Sequence, residues 1–258
     1  MCELLAMSAN VPTDVRFSFS ALALRGGATG VHTDGWGISF YEHKGCRTIH
    51  DPNPSAQSEL ARFIRAYPIK SLMVIAHVRK ANRGKTSLEN THPYTRELWG
   101  NAWSFAHNGQ LKGIKKRKLG HYLPIGTTDS EHAFCWLLDQ LRALYPRRPS
   151  DSKLARTVSD LFADLRGLGV FNALLSDGRS LYASCSTKLC YVERKAPFGP
   201  ASLIDDDLEV DFAKETTPDD RVIILASTPL TRNETWTPVP PHTTLVIRKG
   251  EHVSATPK

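Results

Sequence analysis

The chain has 258 residues, 41% of them hydrophobic and 23% charged. That is enough for one large buried core, and it is not the composition of a disordered segment. The net charge of +7 would suit nucleic acid or anionic substrates, but no nucleic-acid motif accompanies it, so a basic surface without such a partner is the reading adopted. No apolar run approaches the roughly 18 residues that span a membrane. The opening MCELLAMSANVPTDV lacks a basic n-region and a long apolar h-region, so a cytoplasmic protein is expected. The five cysteines (Cys2, Cys46, Cys135, Cys185 and Cys190) are odd in number and irregularly spaced, with no CxxC pair, which speaks against a disulfide framework or a structural zinc site.

In chain order, Cys2 to Ala9 reads as a first strand and Ser18 to Leu24 as a short helix, followed by the Gly-rich turn RGGATG. Alternating Trp36, Ile38 and Phe40 predict a strand, with Arg47 to His50 pairing as a hairpin. Ser55 to Tyr67 has helical spacing, with Ala56, Leu60, Phe63 and Ile64 on the inner face and Pro68 ending it. The apolar runs Ser71 to His77 and Asn101 to His107 predict buried strands. Two amphipathic helices follow. Ser130 to Leu144 turns Phe134, Leu137, Leu138 and Leu141 inward; Ser152 to Leu165 does so with Leu154, Val158, Leu161 and Phe162. Strands are predicted at 170–176, 181–184, 189–193, 222–226 and 244–248, and a long loop between Ala196 and Asp220. Strands, then helices, then strands suit an α+β fold with antiparallel sheets rather than a βαβ series. No linker divides the chain, so residues 2–258 are expected to form a single domain.

Four features carry chemistry. Methionine is trimmed before a small residue, so Cys2 becomes the N-terminus and one residue offers both a thiol and an α-amine. The amine's ordinary pKa of about 7.7–8.0 suits a general base. His107-Asn108-Gly109 follows a predicted strand: an Asn side chain and the next amide can donate to one oxyanion, although Asn-Gly is the strongest short-range turn signal and taken alone reads as a simple turn. Arg79, ending the SLMVIAH strand, could grip a carboxylate bidentately or lie on the surface. Asp129, in TTDSE before a helix, could bind an ammonium group. The plain alternative is a helix cap, with Thr128 or Asp129 at the N-cap and Glu131 or His132 in the first turn.

These features, in this order, resemble the class II glutamine amidotransferases, the N-terminal-nucleophile type. The segments that carry the resemblance are MCELLAM, RGGATGVHTDGWG, IAHVRKAN, THPY, SFAHNGQLKG and TTDSE, with THPYTRELWG and AHNGQL closest to the stand-alone, single-domain branch. The resemblance implies a four-layer αββα sandwich of two antiparallel sheets between helices, with no metal or organic cofactor. It makes Cys2 the nucleophile, Asn108 and Gly109 the oxyanion hole, Arg79 the ligand of the substrate α-carboxylate and Asp129 that of its α-ammonium. His92 falls in a substrate-bounding loop, with Arg25 and Asp34 near the pocket. Asn82 stands where several relatives carry Thr, and Lys80 where some carry Trp. The implied reaction is glutamine amide hydrolysis through a γ-glutamyl thioester. The ammonia acceptor stays open: a separate synthase partner, plain glutaminase activity, or hydrolysis of another γ-glutamyl amide or peptide. Outside catalysis, the rival is a binding or regulatory protein on the same scaffold. His77, His92 and His107, spaced by 15 residues, fit no usual zinc pattern, and Leu111 to Gly120, LKGIKKRKLG, reads as a solvated basic loop.

Overall fold

The computed structural model describes residues 2–81 and 85–257. The first sheet is built from β1 (Glu3–Asp14), β2 (Trp36–Glu42), β3 (Gly45–Asp51), β4 (Lys70–Val78), β9 (Cys190–Lys195), β12 (Arg221–Ala226) and β13 (Thr237–Pro238), in the order β13-β9-β12-β1-β4-β2-β3. The second holds β5 (Tyr94–Leu98), β6 (Asn101–Leu111), β7 (Gly169–Ser176), β8 (Leu181–Cys185), β14 (Thr243–Arg248) and β15 (Glu251–Pro257), in the order β15-β14-β8-β7-β6-β5. Neighbouring strands pair antiparallel in both. Helices α1 (Arg16–Leu24) and α2 (Glu59–Ala66) cover the first sheet; α3 (Asp129–Leu144) and α4 (Asp151–Arg166) cover the second. The result is a four-layer αββα sandwich.

The layers follow from side-chain alternation. On β1, Leu5 and Met7 face Phe19 and Leu22 of α1, while Leu4 and Ala6 face the other sheet, meeting Ala106, Leu174 and Ala183. A strand buried on both faces reads as a continuous apolar run, which is why MCELLAM shows no polar alternation. A third cluster, with Phe105, Phe134, Leu138 and Phe162, seals the second sheet against its helices. Among the described residues no helix is long and apolar enough to cross a membrane.

Three local expectations are corrected. The helix expected over Ser55 to Tyr67 is broken: a single 3-10 turn (Ser55–Gln57) precedes Ser58, whose extended backbone and side-chain bond from the Ala61 amide start α2 afresh. This re-phasing buries Ala61 and Ile64 and leaves Leu60 and Phe63 exposed. The loop from Ala196 to Asp220 contains a small hairpin, β10 (Pro200–Ser202) with β11 (Glu209–Asp211), anchored by buried Ala201 and Leu203. And β6 does not end at His107: it runs through Asn108 and Gly109, which pair with Asn172 and Phe171, so Asn-Gly makes no turn here.

Candidate active site

Antiparallel pairing of Glu3 with Val78 brings Cys2 to the end of β4, where Arg79 and Lys80 continue the chain. The Cys2 thiol is fixed by the Lys80 backbone: the Lys80 amide donates to Sγ at 3.3 Å, and Sγ donates to the Lys80 carbonyl at 3.4 Å. From the other sheet, Asn108 takes hold of both ends of the same residue. Its Oδ1 accepts from the Cys2 nitrogen at 3.0 Å, and its Nδ2 donates to the Cys2 carbonyl at 2.7 Å. An amide Nδ2 carries two hydrogens, so one remains for a ligand. Burial pushes the Cys2 thiol pKa up, only partly opposed by the Lys80 amide and the Arg79 charge. A thiol held protonated in this way needs a base beside it to become a nucleophile.

One cavity is lined by Cys2, Arg79, His92, Asn108, Gly109 and Asp129, together with Lys80 and Gln110. Gly109 is required there by space: a Cβ would collide with the Val170 carbonyl oxygen. Arg79 is buried, and its Nη1 donates to the Lys85 carbonyl at 3.1 Å. Asp129 occupies the first turn of α3 while Thr128 caps it, accepting from the Glu131 amide at 3.0 Å. The cap reading and the pocket reading thus fall on adjacent residues. The Asp129 carboxylate is aimed by the amides of Leu111 and Ser130, at 2.8 and 3.0 Å.

One expected site residue, Arg25, is placed away from the cavity. Arg25 is a buried structural cation. It pairs with Glu3 at 3.2 Å and Asp205 at 2.8 Å and donates to the Pro229 carbonyl, tying β1 to the segment after β12. Its contacts are intramolecular because a buried guanidinium must be paired. Asn82 lies outside the described residues. Asp34 lies just beyond the wall, accepting from the Ala81 amide and Thr86 hydroxyl at 2.8 and 3.1 Å.

Sequence reasoning missed the support beneath the cavity. His107 Nε2 bonds the Val170 carbonyl at 3.0 Å and Nδ1 the Ser130 hydroxyl at 2.8 Å, so β6 is clamped to β7 and to the start of α3. Asn172 is wholly buried; its Oδ1 accepts from the Ser186 and Thr187 amides and its Nδ2 donates to Thr187 Oγ1. The available signal was one amide in an otherwise apolar strand, VFNALLS. His77 and His92 pack ring to ring at 4.3 Å, and His92 continues to Tyr94 at 4.5 Å. No ring nitrogen of His77 or His92 has a hydrogen-bond partner of good geometry. Among the described residues no group of three or more His, Cys, Asp or Glu is arranged to hold a metal ion.

Burial, reinforced by the Arg79 charge, lowers the His77 pKa to about 3. Burial first, then neighbouring charges, also lowers His92, and burial lowers His107. A base whose folded pKa is depressed binds more protons when unfolded, so stability rises with pH between the two values. The stability these rings contribute is complete above the ordinary histidine pKa of about 6.5 and is lost as pH falls below it. His77→Asn is therefore expected to reduce the pH slope of unfolding free energy near pH 5 by up to one proton, about 1.4 kcal/mol per pH unit. Denaturant titrations at a series of pH values measure that slope, and an unchanged slope would refute the assignment.

The whole chain, residues 1–258, matches the family model described as class II glutamine amidotransferases. It is 56% identical over 254 residues to the protein YafJ of Escherichia coli (strain K12), covering 98% of this chain and all of that one. A 2.0 Å crystal structure titled as a predicted glutamine amidotransferase from Pseudomonas aeruginosa PA01 superposes with a TM-score of 0.79 at 48% identity, over 98% of this chain and 100% of that one. The glutamine phosphoribosylpyrophosphate amidotransferase of B. subtilis shares the fold alone, with a TM-score of 0.63 at 14% identity, over 99% of this chain and 49% of that one. The chain belongs to the class II glutamine amidotransferases.

Proposed function

We propose that the protein is an amidohydrolase that cuts the side-chain amide of glutamine, with Cys2 as its N-terminal residue after loss of Met1. The observation that carries this reading is the convergence of Cys2, Arg79, Asn108, Gly109 and Asp129 on one cavity. The free α-amine takes the Sγ proton, and sulfur bonds to the glutamine Cδ. The oxyanion accepts hydrogen bonds from Asn108 Nδ2 and the Gly109 amide. The α-ammonium returns the proton to the leaving nitrogen as the C–N bond breaks, leaving a γ-glutamyl thioester. Water, deprotonated by the same amine, then cleaves the C–S bond and glutamate departs. The ammonia is released to water or passed to a separate synthase partner.

Arg79 holds the α-carboxylate and Asp129 the α-ammonium. Losing one charge-assisted contact costs about 1.5–3 kcal/mol, roughly ten- to a hundredfold in binding. Arg79→Ala and Asp129→Ala are each expected to raise KM by about that factor. Glutamine should be hydrolysed and N-acetylglutamine amide, which lacks both free groups, should not. Steady-state ammonia release with both compounds tests the reading, and comparable turnover of the blocked analogue would overturn it. A binding or regulatory role on the same scaffold predicts no ammonia release at all.

A further inference from the structure

The ionisable residues that line the cavity do not balance against glutamine. They are Arg79, Lys80 and Asp129 as charged groups, with Cys2, His92 and His107 held neutral by burial. Free glutamine is a zwitterion, and its carboxylate and ammonium match Arg79 and Asp129 one for one. The Lys80 ammonium is then left over. Among the described residues no carboxylate reaches it within ion-pair distance. Asp34, an acid beyond the wall, already accepts from the Ala81 amide and Thr86. The adjoining groove deepens the imbalance: it is lined by Gln110, Lys112, Lys115, Thr127 and Asp129, adding two cations and no further acid.

The position of Lys80 is set by the nucleophile. Its amide and carbonyl bracket Cys2 Sγ at 3.3 and 3.4 Å, so its side chain springs from the backbone against which the reacting carbon must lie. A tetrahedral carbon on Sγ has three other substituents. The oxyanion faces Asn108 and Gly109, and the glutamyl chain leads to Arg79 and Asp129. The leaving nitrogen takes the last vertex, and Lys80 is the lining residue whose backbone touches Sγ itself. A leaving group larger than ammonia would extend past Lys80. Its long stem and mobile ammonium suit a carboxylate whose position varies.

We propose that Lys80 is a specificity-determining residue that selects γ-glutamyl amides whose leaving amine bears a carboxylate, that is, γ-glutamyl amino acids and peptides, over glutamine-like neutral amides. This rests on the Cys2 amidohydrolase reading and uses the same steps: the amine nitrogen of the leaving amino acid receives the α-ammonium proton as the C–N bond breaks, and water completes hydrolysis to glutamate.

The test compares γ-glutamylglycine with γ-glutamylglycinamide, which differ in one negative charge, with glutamine alongside. The wild-type protein should show a kcat/KM about tenfold higher for γ-glutamylglycine than for the glycinamide. Lys80→Gln should bring that ratio close to one, and Lys80→Arg should keep it. Because the ratio is taken within one variant, general loss of activity does not move it. Added salt should shrink the wild-type ratio, which needs no variant at all. The proposal is overturned if wild-type protein hydrolyses the two peptides equally, prefers the glycinamide, or cleaves glutamine and neither peptide. It is also overturned if Lys80→Gln keeps the wild-type ratio. Failure to cleave glutamine or either peptide, with no labelling of Cys2 by an electrophilic glutamine analogue, would instead remove the amidohydrolase reading and this proposal with it.

Discussion

Replacing Cys2 by Ala is expected to abolish ammonia release from glutamine and to prevent stoichiometric labelling by an electrophilic glutamine analogue. The same complete loss is expected of protein that retains Met1, although its thiol is intact. Both follow from one arrangement. Burial holds the Cys2 thiol protonated, and among the cavity side chains no free carboxylate or ordinary histidine sits ready to deprotonate it: His92 and His107 are held neutral with depressed basicity, and Asp129 is turned to the Leu111 and Ser130 amides. In the proposed mechanism the base is the α-amine of Cys2, and an acylated nitrogen has no basic lone pair. The other cysteines offer no substitute. Burial pushes Cys135 and Cys185 up to about 11 and Cys190 to about 12, and raises Cys46 as well. Cys46→Ser, Cys135→Ser, Cys185→Ser and Cys190→Ser should keep the chemistry, whatever their stability. Intact mass and activity on one preparation decide the matter: a mass that includes Met1 together with full glutamine hydrolysis would refute the role of the amine.

What the sequence revealed of this site was what local chemistry can encode. Cys2, Arg79 and Asp129 stand at the boundary of a strand or helix, where patterning is clear; Asn108 lies inside β6, a strand that the sequence pattern ends just before it; and the order of the four carries the family resemblance. The long apolar segments were legible for the same reason: central strands such as β1 and β4 are buried on both faces and leave an unbroken hydrophobic run. Besides the short β10, β11 and β13, the strands that escaped are β5 and β15, edges of the second sheet with polar sequences, YTREL and EHVSATP, as edge strands commonly have. Arg25 was misplaced because a guanidinium near a Gly-rich turn looks the same whether its partner is a substrate carboxylate or Glu3 and Asp205, 22 and 180 residues away in number. The stack of His77 on His92 was invisible for a similar reason: β4 and the segment before β5 approach only in three dimensions.

The second large effect is expected at Asn108. Asn108→Ala should lower kcat by roughly 10²–10³, about 3–4 kcal/mol, the usual cost of one oxyanion donor. KM should move little, because that bond strengthens mainly in the transition state. The structure adds a second consequence. Asn108 also holds Cys2, accepting from its nitrogen through Oδ1 and donating to its carbonyl through Nδ2. Alanine removes both effects together, and Asn108→Asp separates them. An aspartate keeps an acceptor for the Cys2 nitrogen but loses the Nδ2 donor and sets a negative charge against the developing oxyanion. If the oxyanion dominates, Asp should cost at least as much as Ala. If holding the amine dominates, Asp should recover a large part of the activity. Gly109 cannot be probed as cleanly, since a Cβ there meets the Val170 carbonyl and would push β6 from β7. Steady-state kcat and KM for the two Asn108 variants, with labelling of Cys2 as a check that the nucleophile remains reactive, give the answer. An Asn108→Ala enzyme with unchanged kcat would mean that this side chain merely joins the two sheets at Cys2.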